Sequence, residues 1–320
     1  MAIALGAVAL YLMLDWLGGT NEYYQHILTL SAINVILAVS LNLINGLTGQ
    51  FSLGHAGFMA VGAYFSGSLT YFAKVPYVPA LLVGALAAGV AGFLVGLPTL
   101  RLRGDYLAIA TLGFAEIIRV LIVGSESIGL KFLAGPRGVQ GIPGYTNFGW
   151  AYFFMLVTIL VLRNFTNSTH GRACVAVRED EVAAEAMGVD TTRYKVLAFS
   201  LGAGFAGLAG GLFAHLLQLL HPDSYGFLKS VDYVVMVVMG GMGSMTGSAL
   251  AAIFLTVFNE VLRKALELRM VIYALVLVAI MLFRPQGLLG SRELSVNTFR
   301  RLGNLVRRGR GQGGGRRGVA

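Results

Sequence analysis

A single cysteine, Cys174, stands in 320 residues, so no disulfide can form within the chain and no bridge-stapled ectodomain is encoded. Redox chemistry has little to work with. Charge is scarce as well: Asp, Glu, Lys and Arg make up 12% of the chain, against roughly 25% in ordinary soluble domains. The five histidines show no ligand spacing, which leaves no metal site to assemble. Paired carboxylates and a nucleophile with a nearby base are missing too. No catalytic residue is assigned, and a membrane-embedded enzyme has no constellation to stand on.

What the chain has instead is apolar length. It is 56% hydrophobic with a mean hydropathy of +0.74, and long apolar runs recur along most of it. About 20 such residues cross a bilayer, because a helix rises about 1.5 Å per residue through a core of about 30 Å. The expected fold class is therefore all-α, a polytopic transmembrane helical bundle. The runs and their breakers place ten spans, at 1–17, 27–45, 57–72, 78–98, 105–123, 148–163, 195–219, 231–241, 248–262 and 270–284. The eighth is too short to cross alone, so nine spans, or a re-entrant piece near 240, stay open. The first segment, MAIALGAVALYLMLDWLGG, lacks a basic leader and reads as a retained span.

The net charge of +9 is concentrated at one end. From Ser291 onward Arg292, Arg300, Arg301, Arg307, Arg308, Arg310, Arg316 and Arg317 stand against Glu293, which is +7 of the total. A basic, glycine-rich tail over 291–320 suits a disordered terminus beside anionic headgroups, and nucleic acid need not be invoked. Residues 1–290 form the transmembrane domain. Ten crossings with the tail inside put both termini in the cytoplasm, and Arg101, Arg103, Arg163, Arg172, Arg178, Arg193 and Lys195 fall in inner loops, as the positive-inside rule asks. Arg263, Lys264 and Arg269 fall on the wrong side.

Two connections are long. Residues 124–147 form an outer loop rich in Gly and Pro, a place for a partner or a gate. Residues 164–194 form the inner segment NFTNSTHGRACVAVREDEVAAEAMGVDTTRY, the most polar part of the chain outside the tail. Within it EDEVAAEAM, Glu179 to Met187, is a helix former with acids toward its start and Gly188 where a C-terminal cap belongs. Ala183, Ala184 and Met187 can share a face, with Glu181 and Glu185 pointing elsewhere. The predicted role is a helix across the cytoplasmic face that fits a groove on a soluble partner, set against the plainer reading of a solvated loop.

Two stretches interrupt spans with glycine. GLTGQFSLGHAG carries Gly46, Gly49, Gln50, Ser52, Gly54, His55 and Gly57, and GGMGSMTGS carries Gly240, Gly241, Gly243 and Ser244. Unpaired backbone groups in hydrocarbon cost several kcal/mol each, so such stretches face protein or a water-filled cavity. A helix starting near Leu53 would aim its positive end at a carboxylate, with Gln50, Ser52 and His55 adding hydrogen bonds. The alternative is that Gly46, Gly49, Gly54, Gly57 and Gly62 let helices approach closely. Paired interruptions in two halves point to a transporter's central site and to a weak internal repeat. Glu116 and Arg119, at i and i+3, are expected to form an intramembrane ion pair.

The acidic, alanine-rich helix followed by TRYKVLAFSLGAGFAGLAGGL resembles the coupling segment of ABC importer permeases, specifically the M-type permease of branched-chain amino acid transporters. GLTGQFSLGHAGFMAVGAY, LRGDYLAIATLGFAEIIRVL, GPRGVQGIP, VVMGGMGSMTGSALA and FRPQGLLG extend that resemblance over residues 46–290. The resemblance implies alternating access in a bacterial inner membrane. Its implied partners are a second homologous permease subunit forming a heterodimer, two cytoplasmic ABC ATPases and an extracytoplasmic substrate-binding protein. ATP and Mg are then used by partner subunits, with no cofactor bound by this chain; it carries no GxxxxGK followed by Ser or Thr. A urea or short-amide permease is the near alternative. A proton-coupled secondary transporter using Glu116 is the remote one.

Overall fold

A computed structural model describes residues 21–99, 102, 104–125, 135–265 and scattered positions between 271 and 290. The expected span at 1–17, the basic tail and most of the expected span at 270–284 lie outside the described residues. So does the middle of the outer loop.

Among the described residues the chain is helical apart from two strands of two residues each. The helices are α1 (Glu22–Asn42), α2 (His55–Tyr71), α3 (Tyr77–Thr99), α4 (Asp105–Gly124) and α5 (Phe148–Asn167), then the short α6 (Thr169–Glu179) and α7 (Glu181–Ala186), and α8 (Thr191–Leu217), α9 (Phe227–Gly240) and α10 (Met245–Val261). Five of these helices are long and apolar enough to cross a membrane: α1 with the turn that follows it, α3, α4, α5 and α8. Among the described residues the architecture is an all-α bundle of apolar helices. At 14 residues, α9 is about 21 Å long at 1.5 Å per residue, short of a crossing.

Two helices form the centre. The most apolar windows of α1 and α8 are 78% and 67% buried, against 28% for α4. α8 lies against α2, α3 and α1, and α1 lies against α10, α5 and α9 as well. Outward faces are apolar too, as at Leu86, Leu94, Ile109 and Leu228, so the fold needs a hydrocarbon solvent rather than water.

Helices in such a solvent gain no hydrophobic drive toward one another and associate through close packing and interhelical hydrogen bonds. A Cβ on Gly62 of α2 would overlap the Gly207 backbone of α8, and one on Gly207 would overlap Ala88 of α3. Polar bonds tie α1 to α10: Asn34 Nδ2 donates to Thr256 Oγ1 at 2.8 Å, and Tyr23 OH donates to Glu260 Oε1 at 2.9 Å. At the other end of α8, β1 (Val139–Gln140) pairs antiparallel with β2 (Leu219–Leu220). That staple ties the far part of the 124–147 loop to the end of α8.

Helix starts differ from the hydropathy reading. α8 begins at Thr191 rather than 195 because the Asp190 carboxylate accepts from Arg193 N at 3.0 Å, and α10 begins at Met245 because Ser244 Oγ accepts from Gly247 N at 3.1 Å. α1 and α9 also start several residues early, at Glu22 and Phe227. At Asp190 and Ser244 a polar capping side chain sets the helix start, which a hydropathy window does not see; α1 and α9 start without a side-chain cap.

Candidate functional site

The first glycine-rich stretch begins where α1 widens. Leu43–Leu47 forms a π-helical turn, in which each N–H reaches back five residues and one extra residue is accommodated. Thr48 Oγ1 closes it by donating to Ile44 O at 2.7 Å, and Gln50 N donates to the same oxygen at 3.2 Å. Gly49 takes a φ of +69°, where a side chain is strained. The chain then returns alongside α1. Ser52 N donates to Asn45 Oδ1 at 3.2 Å, and His55 Nε2 reaches Ser40 Oγ at 3.0 Å.

Two backbone N–H groups of this return find partners on other helices. Leu53 N donates to Thr111 Oγ1 of α4 at 3.1 Å, and Ala56 N, in the first turn of α2, donates to Ser230 Oγ of α9 at 3.1 Å. Within this chain a serine hydroxyl therefore occupies the helix end that was expected to greet a carboxylate, and α2 starts at His55 rather than near Leu53. Ser52 and His55 are fully buried, and Gln50 is 4% exposed. A Cβ on Gly54 would overlap the Thr111 carbonyl, and one on Gly57 would lie 2.7 Å from Ala115 Cα. Among the described residues the Gln50 amide, Asn45 Nδ2 and His55 Nδ1 have no hydrogen-bond partner.

The second stretch lies against the first. α9 stops at Gly240, Gly241 and Gly243 adopt φ of +105° and +91°, and Ser244 caps α10. Asn42 Oδ1 accepts from Gly243 N at 2.8 Å, and a Cβ on Gly46 would overlap both atoms. The C-terminal FRPQGLLG motif joins this junction, with Leu288 N donating to Met239 O at 2.8 Å.

The inner segment arrives at the same place. It contains two helices rather than one. Asp180 is extended between them, and its carboxylate accepts from Ala183 N at 3.0 Å to cap α7. α7 ends with Gly188 at φ +83° and Val189 N donating to Ala184 O at 3.0 Å, the pattern by which glycine closes helices. The shared face expected for Ala183, Ala184 and Met187 is not found. Ala184 is buried toward α8, with Glu181 ion-paired to Lys195 and Glu185 Oε1 accepting from Thr191 Oγ1 at 2.8 Å. The outward face is Val182, Ala183, Ala186 and Met187, with Val182 66% and Met187 84% exposed. The reason is chemical: the two glutamates find a lysine and a threonine on α8, and that turns the helix.

The last turn of α6 carries Arg178, which the sequence reading counted only as an inner-loop charge. Its Nη1 donates to Gly46 O at 2.9 Å and its other nitrogens grip the Glu179 carboxylate. Asn42, Thr111 and Ser230 were missed as well. Asn42 carried a signal, an amide inside an apolar run, and such groups in membranes mark junctions. Further along α4, Arg119 Nη2 and Nε bond Glu116 Oε1 at 2.6 and 2.8 Å, and Nη1 reaches Asp223 at 3.2 Å. This cluster is away from the junction. In α6, Cys174 is buried, and burial pushes its thiol up to about 11. Among the described residues, no three His, Cys, Asp or Glu side chains gather in a metal-holding group.

The chain matches the family model described as branched-chain amino acid transport system / permease component over residues 23–283. It is 37% identical to the high-affinity branched-chain amino acid transport system permease protein LivM of Escherichia coli, over 82% of this chain and 69% of that protein. It is 26% identical to LivH of the same organism and 24% identical to BraD of Pseudomonas aeruginosa, each over 83% of this chain and 94% of the relative. No solved structure matches it. With a family model spanning most of its length and a long relative at better than a third identity, the chain belongs to the branched-chain amino acid transport permease family.

Proposed function

We propose that this chain is the transmembrane permease subunit of an ATP-binding cassette importer that carries branched-chain, aliphatic amino acids across the bacterial inner membrane by alternating access. The observation that carries the reading is the family match across residues 23–283, joined to the M-type relative's printed substrate. In this reading ten spans put both termini in the cytoplasm, the two breaks descend from a two-halved repeat, and the basic tail lies along anionic headgroups. The partner is a second, unlike permease, and similarity to both LivM and LivH of one organism supports that pairing. Two cytoplasmic ATPases use ATP and Mg, and an extracytoplasmic binding protein delivers substrate.

The exposed apolar pair Val182 and Met187 supports a coupling role for α7. It lies on a polar segment between α5 and α8, and large apolar side chains presented together outside a span mark contact sites. Gly46, Gly49, Gln50, Ser52, Gly54, His55, Gly57, Gly240, Gly241, Gly243 and Ser244 form the junction proposed to part along the substrate path. Glu181, Ala183, Ala184, Glu185, Met187 and Gly188 form the coupling element, with Ala184 and the glutamates holding it to α8. Uptake of labelled leucine and of labelled urea, measured in vesicles holding the whole complex, tests the reading. ATP-dependent leucine uptake that survives a proton uncoupler is expected. Urea uptake without leucine uptake, or collapse on adding uncoupler, overturns it.

A further inference from the structure

We infer that Arg178 is the positioning residue through which the coupling element holds the two glycine breaks closed. Four observations carry this. First, Arg178 Nη1 donates to Gly46 O at 2.9 Å across 132 residues of sequence. That carbonyl belongs to the π-helical turn at the end of α1, where carbonyls lack onward helical partners and the helix dipole favours a cation. Second, the same side chain touches both breaks: a Cβ on Gly49 would lie 2.9 Å from its Cγ, and one on Gly243 would lie 3.0 Å from its Nη1. Third, Glu179 grips the remaining nitrogens, so the guanidinium is oriented rather than free to swing. Fourth, a single extended residue, Asp180, separates Glu179 from α7 and its outward Val182 and Met187.

The mechanical consequence follows from that connection. A shift of α7 is passed through one residue to α6, and Arg178 is the α6 side chain bonded to the junction. Drawing it back by a few ångströms breaks the bond to Gly46 and removes the atoms packed on Gly49 and Gly243. Asn42, by comparison, lies against Gly46 and bonds Gly243 N. Among the described residues the Gln50 amide and Asn45 Nδ2 also have no hydrogen-bond partner, a cost that hydration on parting the breaks would relieve.

The inference rests on the coupling role proposed for α7, and the experiment separates the two. The complete complex, with both permeases, ATPases and binding protein, is reconstituted in liposomes, and leucine imported per ATP hydrolysed is measured for wild type and Arg178→Gln. ATP turnover is expected to persist while the ratio falls about fivefold or more, the scale of a modest coupling free energy. Spin labels on Phe51→Cys and Met242→Cys, one exposed position in each break at 38% and 51%, are expected to lie farther apart in Arg178→Gln without nucleotide than in wild type. An unchanged ratio with an unchanged label distance overturns the clamp. Should Arg178→Gln fail to assemble, Arg178→Lys decides, because a lysine cannot hold Gly46 and Glu179 in the same fork; a wild-type ratio and distance there overturn it equally. The coupling role of α7 is read separately from Met187→Asp in an otherwise wild-type chain. If that variant binds the ATPases and transports normally, the coupling reading fails whatever Arg178 does.

Discussion

The two glycine-rich breaks share a composition and differ in physics. In the stretch from Gly46 to Gly57 only Gly49 needs a positive φ; Gly46, Gly54 and Gly57 are glycine because a neighbour occupies the space of a side chain. In the stretch from Gly240 to Ser248, Gly241 and Gly243 have φ near +100° and make a turn that an L side chain rarely adopts. The first break takes one hydrogen bond each from α4 and α9, while the second takes one from Asn42 of α1 and is capped from within by Ser244. Glycine content alone thus conflates a packing requirement with a conformational one.

That contrast can be broken by substitution. Gly46→Val drives a branched side chain into Gly243 and Asn42, and is expected to cost about 3 kcal/mol, the upper range for overpacking. Loss of the assembled complex in detergent would register it, and normal assembly would mean the breaks are not in contact. Gly243→Ala tests conformation instead, with an expected cost of about 1 to 3 kcal/mol from backbone strain, read as a lowered unfolding temperature. Ser230→Ala strands the Ala56 N–H and is expected to cost roughly 1 kcal/mol, the lower end for a buried group left unpaired. It should loosen the first break only, so hydrogen exchange should quicken at 49–57 and stay the same at 241–247.

The smallest effect concerns Cys174, which reports on α6. Burial raises its thiol to about 11, so the reactive thiolate is a minor species near neutrality and grows as pH rises toward that value. Alkylation should be far slower than for an ordinary thiol of pKa about 8.5 and should quicken with pH. In Arg178→Gln, α6 loses its bond to α1, and labelling at fixed pH is expected to quicken a few-fold. Fast labelling in the wild type would show that α6 is not seated.

Much of the scaffold was legible because membrane helices announce themselves by hydropathy. α4 was expected at 105–123 and is found at Asp105–Gly124; α5 starts at Phe148 as expected and runs four residues longer. The helix starts at Thr191 and Met245 were obscured because Asp190 and Ser244 act through a single hydrogen bond. α6 was not seen at all, since THGRACVAVRE is polar on most sides and is held by contacts with α8 and α1 rather than by its own periodicity. The junction was legible as two separate breaks. That they meet was not, because 201 residues separate Asn42 from Gly243, and only tertiary structure brings an amide to that N–H. The orientation of α7 failed for a related reason: the partners of Glu181 and Glu185 lie on the next helix.

α8 is a single helix of 27 residues, about 40 Å from end to end at 1.5 Å per residue. Its first turns hold α7 through Thr191 and Lys195, and its last residue leads directly into the strand paired with Val139 and Gln140. Near its middle it is gripped by α2, where a Cβ on Gly62 would overlap Gly207. The α7 end and the strand end of the molecule are thus joined by one unbroken helix, so that a displacement at either has a continuous hydrogen-bonded rod, rather than a loop, to the other.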